Sequence, residues 1–405
     1  MDILPILSTL RRHKTAASLI VLEIALTSAI VCNALHLISQ RIETLNHDSG
    51  LPEAELLALA VRGTGGAANP DELTTQDLQA LRALPGVKSA AVLNQVAYGN
   101  NSNNTDARST ADKNGPRFVG SMYVGGEQAL QTLGLKLVEG RDFKAEEYLP
   151  SSVIDEQDNP KIGQVILNRT MAEKMYPGRT ALGQPFYGYG DEPSTVIGVV
   201  ERLTHPYPGK AQHDEGNSML FPIRPTFRGG EYLVRVEPAQ REAVLKAATA
   251  AIERIDPSRI VTRAKLLTDM RAAYYAQDRS MVWLMTGVIV ALMVVTAFGI
   301  VGLASFWVQQ RTRMIGTRRA MGATRGQILR YFQLENFLLS SVGIGLGMGG
   351  AFGLSLVLMV NYEMPRLPLA YLPVGALALW ALGQLAVLAP ARRAAALPPV
   401  QALRT

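Results

Sequence analysis

The chain has 405 residues, of which 48% are hydrophobic and 18% charged, with a formal net charge of +6 and one cysteine. Soluble domains carry about 25% charged residues, so this balance argues against an ordinary soluble enzyme. A lone cysteine (Cys32) excludes an internal disulfide framework.

The distribution of charge says more than its sum. Segments 1–14, 311–330 and 391–405 hold Arg11, Arg12, Lys14, the six arginines Arg311, Arg313, Arg318, Arg319, Arg325 and Arg330, then Arg392, Arg393 and Arg404, against the single acid Asp2. In the rest of the chain acids outnumber bases. Each basic segment borders a long apolar run, which is the positive-inside pattern of a membrane protein and not a nucleic-acid patch.

In chain order, Ile3, Leu4, Ile6, Leu7 and Leu10 share one helical face, so 1–14 is expected as a cytoplasmic interfacial helix on the inner leaflet. Residues 15–40 predict transmembrane helix 1, an uncleaved signal-anchor. Glu23 interrupts it; a carboxylate there costs roughly 2.5–3.5 kcal/mol, so it must face protein or water. It either pairs with or contacts a substrate, or hydrogen-bonds a neighbouring helix.

Residues 41–279 form the large extracytoplasmic domain. Strand-like Leu56–Val61, a helix over Thr75–Leu84 capped at Thr74/Thr75, and Val87–Val92 make one β-α-β unit. Tyr232–Val236, the amphipathic Gln240–Ile255 and Arg259–Arg263 make another. The halves, 41–99 and 231–265, are split by a β-rich insertion over 100–230. Short strands are expected there at Arg117–Val124, Leu135–Val138, Gln164–Leu167, Thr195–Val200 and Met219–Pro222, with a helix at Thr170–Met175. Arg202–Gly209 reads as a flexible loop. Residues 266–279 are expected to be a stalk helix running unbroken into transmembrane helix 2 (281–308), with Tyr274, Tyr275 and Trp283 as an outer aromatic belt and Trp307 at the inner interface.

Residues 309–333 read as a helix-turn-helix hairpin. Gly322 stops the first helix and Thr324 caps the second, Arg325–Gln333, leaving Met314, Ile315, Met321 and Ile328 for a groove. Transmembrane helix 3 (335–360) is glycine-rich. Gly345, Gly347 and Gly350 match G-x-G-x-x-G, but an uncharged span offers no strand and no phosphate site, so Gly343, Gly345, Gly347 and Gly350 are read as close helix packing. Transmembrane helix 4 (368–391) ends at Pro390, before a cytoplasmic tail, 392–405. The expected fold is an α-helical membrane protein with four transmembrane helices and a large α+β periplasmic domain inserted between helices 1 and 2.

No G-x-x-x-x-G-K-[ST], no G-x-S-x-G and no metal-spaced histidine cluster occurs, so the sequence gives no support for catalysis, a metal or a cofactor in this chain.

RTRMIGTRRAMGATRGQILRYFQLENFLLS resembles the signature of the MacB/FtsX-type permeases of ABC transporters, R-x-x-E-I-G-x-R-R-A-L-G-A-T-R-x-x-I. The tail PARRAAALPPVQALRT is similar to that family's ending, and LPGVKSAAV, LGLKLVEGRDF, VILNRTMAEKMYPGRTALGQPF and STVIGVV resemble its outer domain. Met314 departs from a frequent Glu and Thr317 from a common Ile, which would suit pairing with a different permease. The resemblance implies a mechanotransmission permease of the bacterial inner membrane with cytoplasmic termini and porter-like domain halves. It implies that Met314, Ile315, Arg318, Arg319, Met321, Gly322, Ala323, Thr324, Arg325 and Ile328 couple to a separate ATPase dimer, which holds ATP and Mg. Further implied partners are a second permease copy or paralogue, membrane lipid, and a periplasmic adaptor with an outer-membrane channel. The implied function is export or efflux of a drug, peptide or lipid-like substrate; the alternatives are regulation of a periplasmic cell-wall enzyme and lipoprotein extraction.

Overall fold

A 32-residue apolar helix, α1 (Lys14–Leu45), is the first element of the computed structural model, which describes residues 14–63, 69–99, 101–156, 160–209, 216–362 and 367–396. The expected interfacial helix lies, apart from Lys14, outside the described residues. The helix α1 is longer than the 20 or so residues that cross a bilayer. The chain divides into two units, Asn46–Ala276 and a helical unit of Met1–Leu45 with Gln277–Thr405.

In the Asn46–Ala276 unit, β1 (Leu56–Gly63), helix α2 (Pro70–Arg82) and β2 (Val87–Leu93) form the first β-α-β half. The insertion follows, with β3 (Asn104–Ala107), β4 (Phe118–Val124), β5 (Leu137–Gly140), β6 (Gln164–Asn168), α3 (Arg169–Met175), β7 (Ser194–Val200) and β8 (Ser218–Phe221). The second half is β9 (Glu231–Val236), α4 (Arg241–Ile255) and β10 (Arg259–Leu266).

The two halves share one sheet in the order β10-β1-β9-β2, with each neighbouring pair antiparallel. Alternation makes this a two-faced sheet: Leu57, Leu59 and Val61 of β1 pack with Leu78 and Leu81 of α2 and with Val244, Ala248 and Ile252 of α4. A fully buried ion pair ties the halves together. Arg259 of β10 grips Asp77 of α2 through two bonds of 2.6 and 2.8 Å, and Tyr232 of β9 donates to the same carboxylate at 2.5 Å. Both charged side chains are fully buried, and the Arg259 guanidinium stacks 4.9 Å over Phe227. The helix α2 starts earlier than the sequence suggested. Asn69 accepts from the Asp71 amide as its cap, while Thr74 and Thr75 bond back to the carbonyls of Pro70 and Asp71 inside the helix.

The insertion folds into a mixed sheet in the order β3-β4-β8-β6-β7-β5, with the two-residue strand Pro185–Phe186 pairing β7. Asn168 closes β6 and opens α3 by accepting the Met171 amide at 3.1 Å. The Arg202–Gly209 segment is anchored, in contrast to the flexible loop expected. Leu203, Thr204 and His205 are buried, and the Tyr123 hydroxyl donates to the Thr204 carbonyl at 2.7 Å.

The stalk also differs from the expectation. Helix α5 (Leu267–Tyr274) ends at Tyr274, Tyr275 leaves helical geometry at φ −92 and ψ 9, and α6 (Ala276–Gln310) starts afresh. Tyr275 is only 2% exposed, and both Tyr274 and Tyr275 donate to the Pro208 carbonyl. With Tyr98 and Tyr207 they make an aromatic cluster inside the domain, so their hydroxyls and rings are satisfied by protein and not by headgroups.

The helical unit continues from α6 to α7 (Thr312–Ala320), α8 (Arg325–Tyr362) and α9 (Tyr371–Ala396). Helices α1, α6, α8 and α9 are long and apolar enough to cross a membrane. Trp283 is 76% exposed, as a lipid-facing anchor would be, but Trp307 is buried. Helix α9 runs through Pro390 to Ala396, beyond the expected end of the span; of the tail, 397–405 lie outside the described residues. Arg41 of α1 pairs with the buried Asp278 at the start of α6.

Candidate coupling hairpin

The basic segment between α6 and α8 is a hairpin whose turn is fixed by two capping devices. Gly322 sits at φ +96, a conformation that glycine adopts without a Cβ penalty. The Gly322 amide bonds to the Arg319 carbonyl at 3.1 Å and the Ala323 amide to the Arg318 carbonyl at 3.0 Å, a Schellman closure of α7. Thr324 and Gln327 then cap each other: the Gln327 amide donates to Thr324 Oγ1 at 3.3 Å, and the Thr324 amide to Gln327 Oε1 at 2.9 Å. The T-x-x-Q spacing carries that signal in the sequence, though only Thr324 was read from it. The second arm does not stop at Gln333. It is the first part of the 38-residue α8, so hairpin and span three are one helix.

The ten residues singled out in the sequence divide into three groups. Ile315 and Ile328 are buried, packed with Tyr331, Phe332 and the tail alanines Ala391, Ala394 and Ala395. They hold the hairpin to the end of α9 and form the floor of a groove instead of projecting from the surface. Arg318 and Arg319 are also engaged, Arg318 5.0 Å over the Tyr331 ring and Arg319 donating to the Ala395 carbonyl at 2.8 Å. Met321, at 76% exposure, projects from the tip with Gly322, Thr324 and Arg325 exposed beside it, and Met314 and Ala323 are half-buried. Between the arms lies a cleft of about 290 Å³, with Met314, Arg318 and Gln327 on its rim and Ile315, Ile328 and Tyr331 among its lining.

The base of the hairpin has a residue that sequence reasoning missed. Arg311, read as a marker of the inner surface, is buried and pairs with the buried Glu335 of α8 at 2.8 and 3.0 Å. Its guanidinium also lies 5.4 Å from the Trp307 ring, which is buried in a cluster with Ala17 and Leu339. Glu335, at the edge of an apolar run, was the available signal.

Among the helix-packing candidates the glycines separate cleanly. A Cβ at Gly343 would stand 2.8 Å from Ile24 Cβ, and one at Gly347 2.5 Å from Ser28 Cβ, so these two seat α8 directly on α1. Gly345 faces open space, and a Cβ at Gly350 would make only an ordinary 3.9 Å contact with Ala29, so neither sets the packing. Glu23 lies against Gly299 of α6, where a Cβ would come within 2.7 Å of its Oε1; among the described residues no cation pairs with it.

Four helices fit to cross a membrane, a large α/β domain inserted after the first, and a basic capped hairpin after the second define a multi-pass membrane protein. Residues 20–254 match the MacB-like periplasmic core domain family and residues 286–399 the FtsX-like permease C-terminal family. The chain belongs to the MacB/FtsX-type permeases of ABC transporters. It is 25% identical over 351 residues to the uncharacterized ABC transporter permease YknZ of Bacillus subtilis (strain 168), covering 84% of this chain and 80% of that protein. It is 27% identical over 299 residues to the macrolide export ATP-binding/permease protein MacB of Chromobacterium violaceum, covering 70% of this chain and 43% of that one. The chain thus spans less than half the length of that combined ATP-binding/permease relative. The extracellular domain of the YknZ transporter from Gram-positive bacteria, a solved structure, aligns over 51% of this chain and 100% of its own at 17% identity and a TM-score of 0.33.

Proposed function

We propose that this permease takes up the motion of an ABC ATPase through the 312–328 hairpin and uses it to drive export or efflux on the opposite side of a bacterial cell membrane. The observation that carries the reading is the tip: an exposed Met321 and a 290 Å³ cleft, on a turn closed by a Schellman motif and a capping box. In this reading Met321 is the side chain that a pocket of the ATPase takes up, held in place by the fixed turn. ATP and Mg belong to that ATPase in this reading. The arginines support a cytoplasmic hairpin by the positive-inside rule, and with it an Asn46–Ala276 unit on the other side of the membrane. Export is supported by the macrolide-export name of the MacB relative. A second permease copy or paralogue completes the assembly, with an adaptor and outer-membrane channel as the extension to a double-membrane envelope.

The test uses Met321→Asp, because Met321 touches no core residue cluster while Ile328→Asp would disrupt the hairpin base itself. A desolvated aspartate in an apolar pocket is expected to weaken copurification of the ATPase by at least about tenfold, with insertion and thermal stability unchanged. Full recovery of an active ATPase complex with Met321→Asp would refute the docking role.

A further inference from the structure

We infer that the Asn46–Ala276 unit carries an anion-binding cleft for a phosphate-bearing ligand, on the sheet face that α2 and α4 leave uncovered. The inference rests on this domain's own geometry and owes nothing to the coupling reading. The cleft has a volume of about 630 Å³, within the range of small-molecule sites.

Its construction starts with a strand irregularity. Val261 and Ala264 of β10 pack toward the core under the helices. Strict alternation would send Arg263 inward with Val261. Instead the register shifts: Ala60 opposes Arg263 and Val61 opposes Val261, so Thr262 is an extra, unpaired residue. Such a bulge re-aims side chains. Here Thr262 and Arg263, consecutive in sequence, both line the cleft, and the Thr262 hydroxyl fixes the bulge by donating to the Ala60 carbonyl at 3.1 Å.

Three further cations line the same space: Arg62 of β1, Arg228 of the loop before β9, and Lys265 of β10. Arg62 donates to the Arg228 carbonyl at 2.7 Å, which holds the two arginines on adjacent chain segments. Glu231 pairs with Arg263 and is the one acid in the lining. Among the described residues, none of Arg62, Arg228 and Lys265 has a carboxylate within ion-pair distance, and Arg263 Nε is buried without a hydrogen-bond partner. Four cations around one acid stand in a unit whose acids outnumber its bases. Crowding like charges costs energy unless a counter-charge enters. Asn94, Asn101 and Thr262 add hydrogen-bonding groups, and Ala60, Gly229 and Gly230 complete the lining without a large apolar side chain. Guanidinium forks match the oxygens of a phosphate, and Lys265 adds a point charge. The ligand is therefore a phosphate group, carried either by a free phosphorylated compound or by a lipid headgroup.

The experiment uses the full chain purified in dodecyl maltoside and its R62Q/R228Q/K265Q variant, all three being exposed side chains. Sodium pyrophosphate is titrated calorimetrically. In a second arm, thermal unfolding is followed in mixed micelles of phosphatidylglycerol against phosphatidylcholine. Saturable binding in either arm is expected, weakened at least about tenfold in the triple variant, since each charge-assisted hydrogen bond is a substantial part of such an affinity. Pyrophosphate binding assigns the free compound, and a shift with phosphatidylglycerol alone assigns the headgroup. No binding in either arm, or equal binding by the variant, overturns the cleft's role.

Discussion

Replacing Arg311 by glutamine removes one member of an ion pair that is buried on both sides. The Glu335 side chain is 1% exposed and would keep a charge with no counter-ion, since its two oxygens receive Arg311 Nη1 at 3.0 and 2.8 Å. Breaking a buried pair on one side costs about 3–5 kcal/mol, whereas replacing both partners by apolar groups of similar size is close to neutral. Arg311→Gln should therefore destabilise the helical unit by about 3–5 kcal/mol, and Arg311→Met with Glu335→Met should recover most of it. Thermal unfolding in detergent, with tryptophan fluorescence reporting Trp307 directly beside the pair, measures both. The recovery is the decisive arm. If the double variant is as unstable as Arg311→Gln, the cost does not come from a stranded Glu335 charge, and the reasoning fails.

Gly347→Leu should destabilise the helical unit by about 1–3 kcal/mol through overpacking on Ser28, while Gly345→Leu, which faces open space, should stay within about 0.5 kcal/mol. Equal thermal midpoints for the two variants would contradict the assignment of the α1 contact to Gly347. In the Asn46–Ala276 unit the hydrogen bond from Arg235 holds the Glu55 carboxyl below its ordinary 4.5, and that from Arg141 does the same for Glu147. Folded carboxyls with depressed values stabilise above the unfolded value, so protection of the unit's amides from hydrogen exchange should be level above about pH 5 and fall as the pH drops below about 4.5. Rising protection on acidification would show the opposite sign.

What the sequence made legible were the features that short-range physics decides. Apolar runs gave four spans, short strand-like stretches gave β1 and β9, and Gly322 followed by Thr324 gave the hairpin turn, because each depends on a few neighbouring residues. The losses came where a distant partner decides. Gly345 and Gly347 look alike in one dimension, and only the direction of α1 separates them. Tyr274 and Tyr275 have the chemistry of a membrane belt, but the Pro208 carbonyl and the Tyr98 and Tyr207 rings claim them. Ile315 and Ile328 read as groove residues and do line the cleft, but their packing on the tail alanines depends on a segment far along the chain. The bulge at Thr262 is invisible in a strand pattern, since one extra residue reverses the faces that follow it.

The fusion of the hairpin's second arm with span three has a mechanical consequence. At 1.5 Å per residue, the 38 residues of α8 make a rod about 57 Å long. It packs on α1 over much of that length, from Leu339 in one cluster with Ala17 to Ala351, whose carbonyl receives Asn33, with the closest approach at Gly343 and Gly347 about 30 Å from Arg325. A helix held along its flank cannot pivot on one point. A displacement of the hairpin's second arm would therefore carry α8 and the packed face of α1 together, with no loop in between to absorb it.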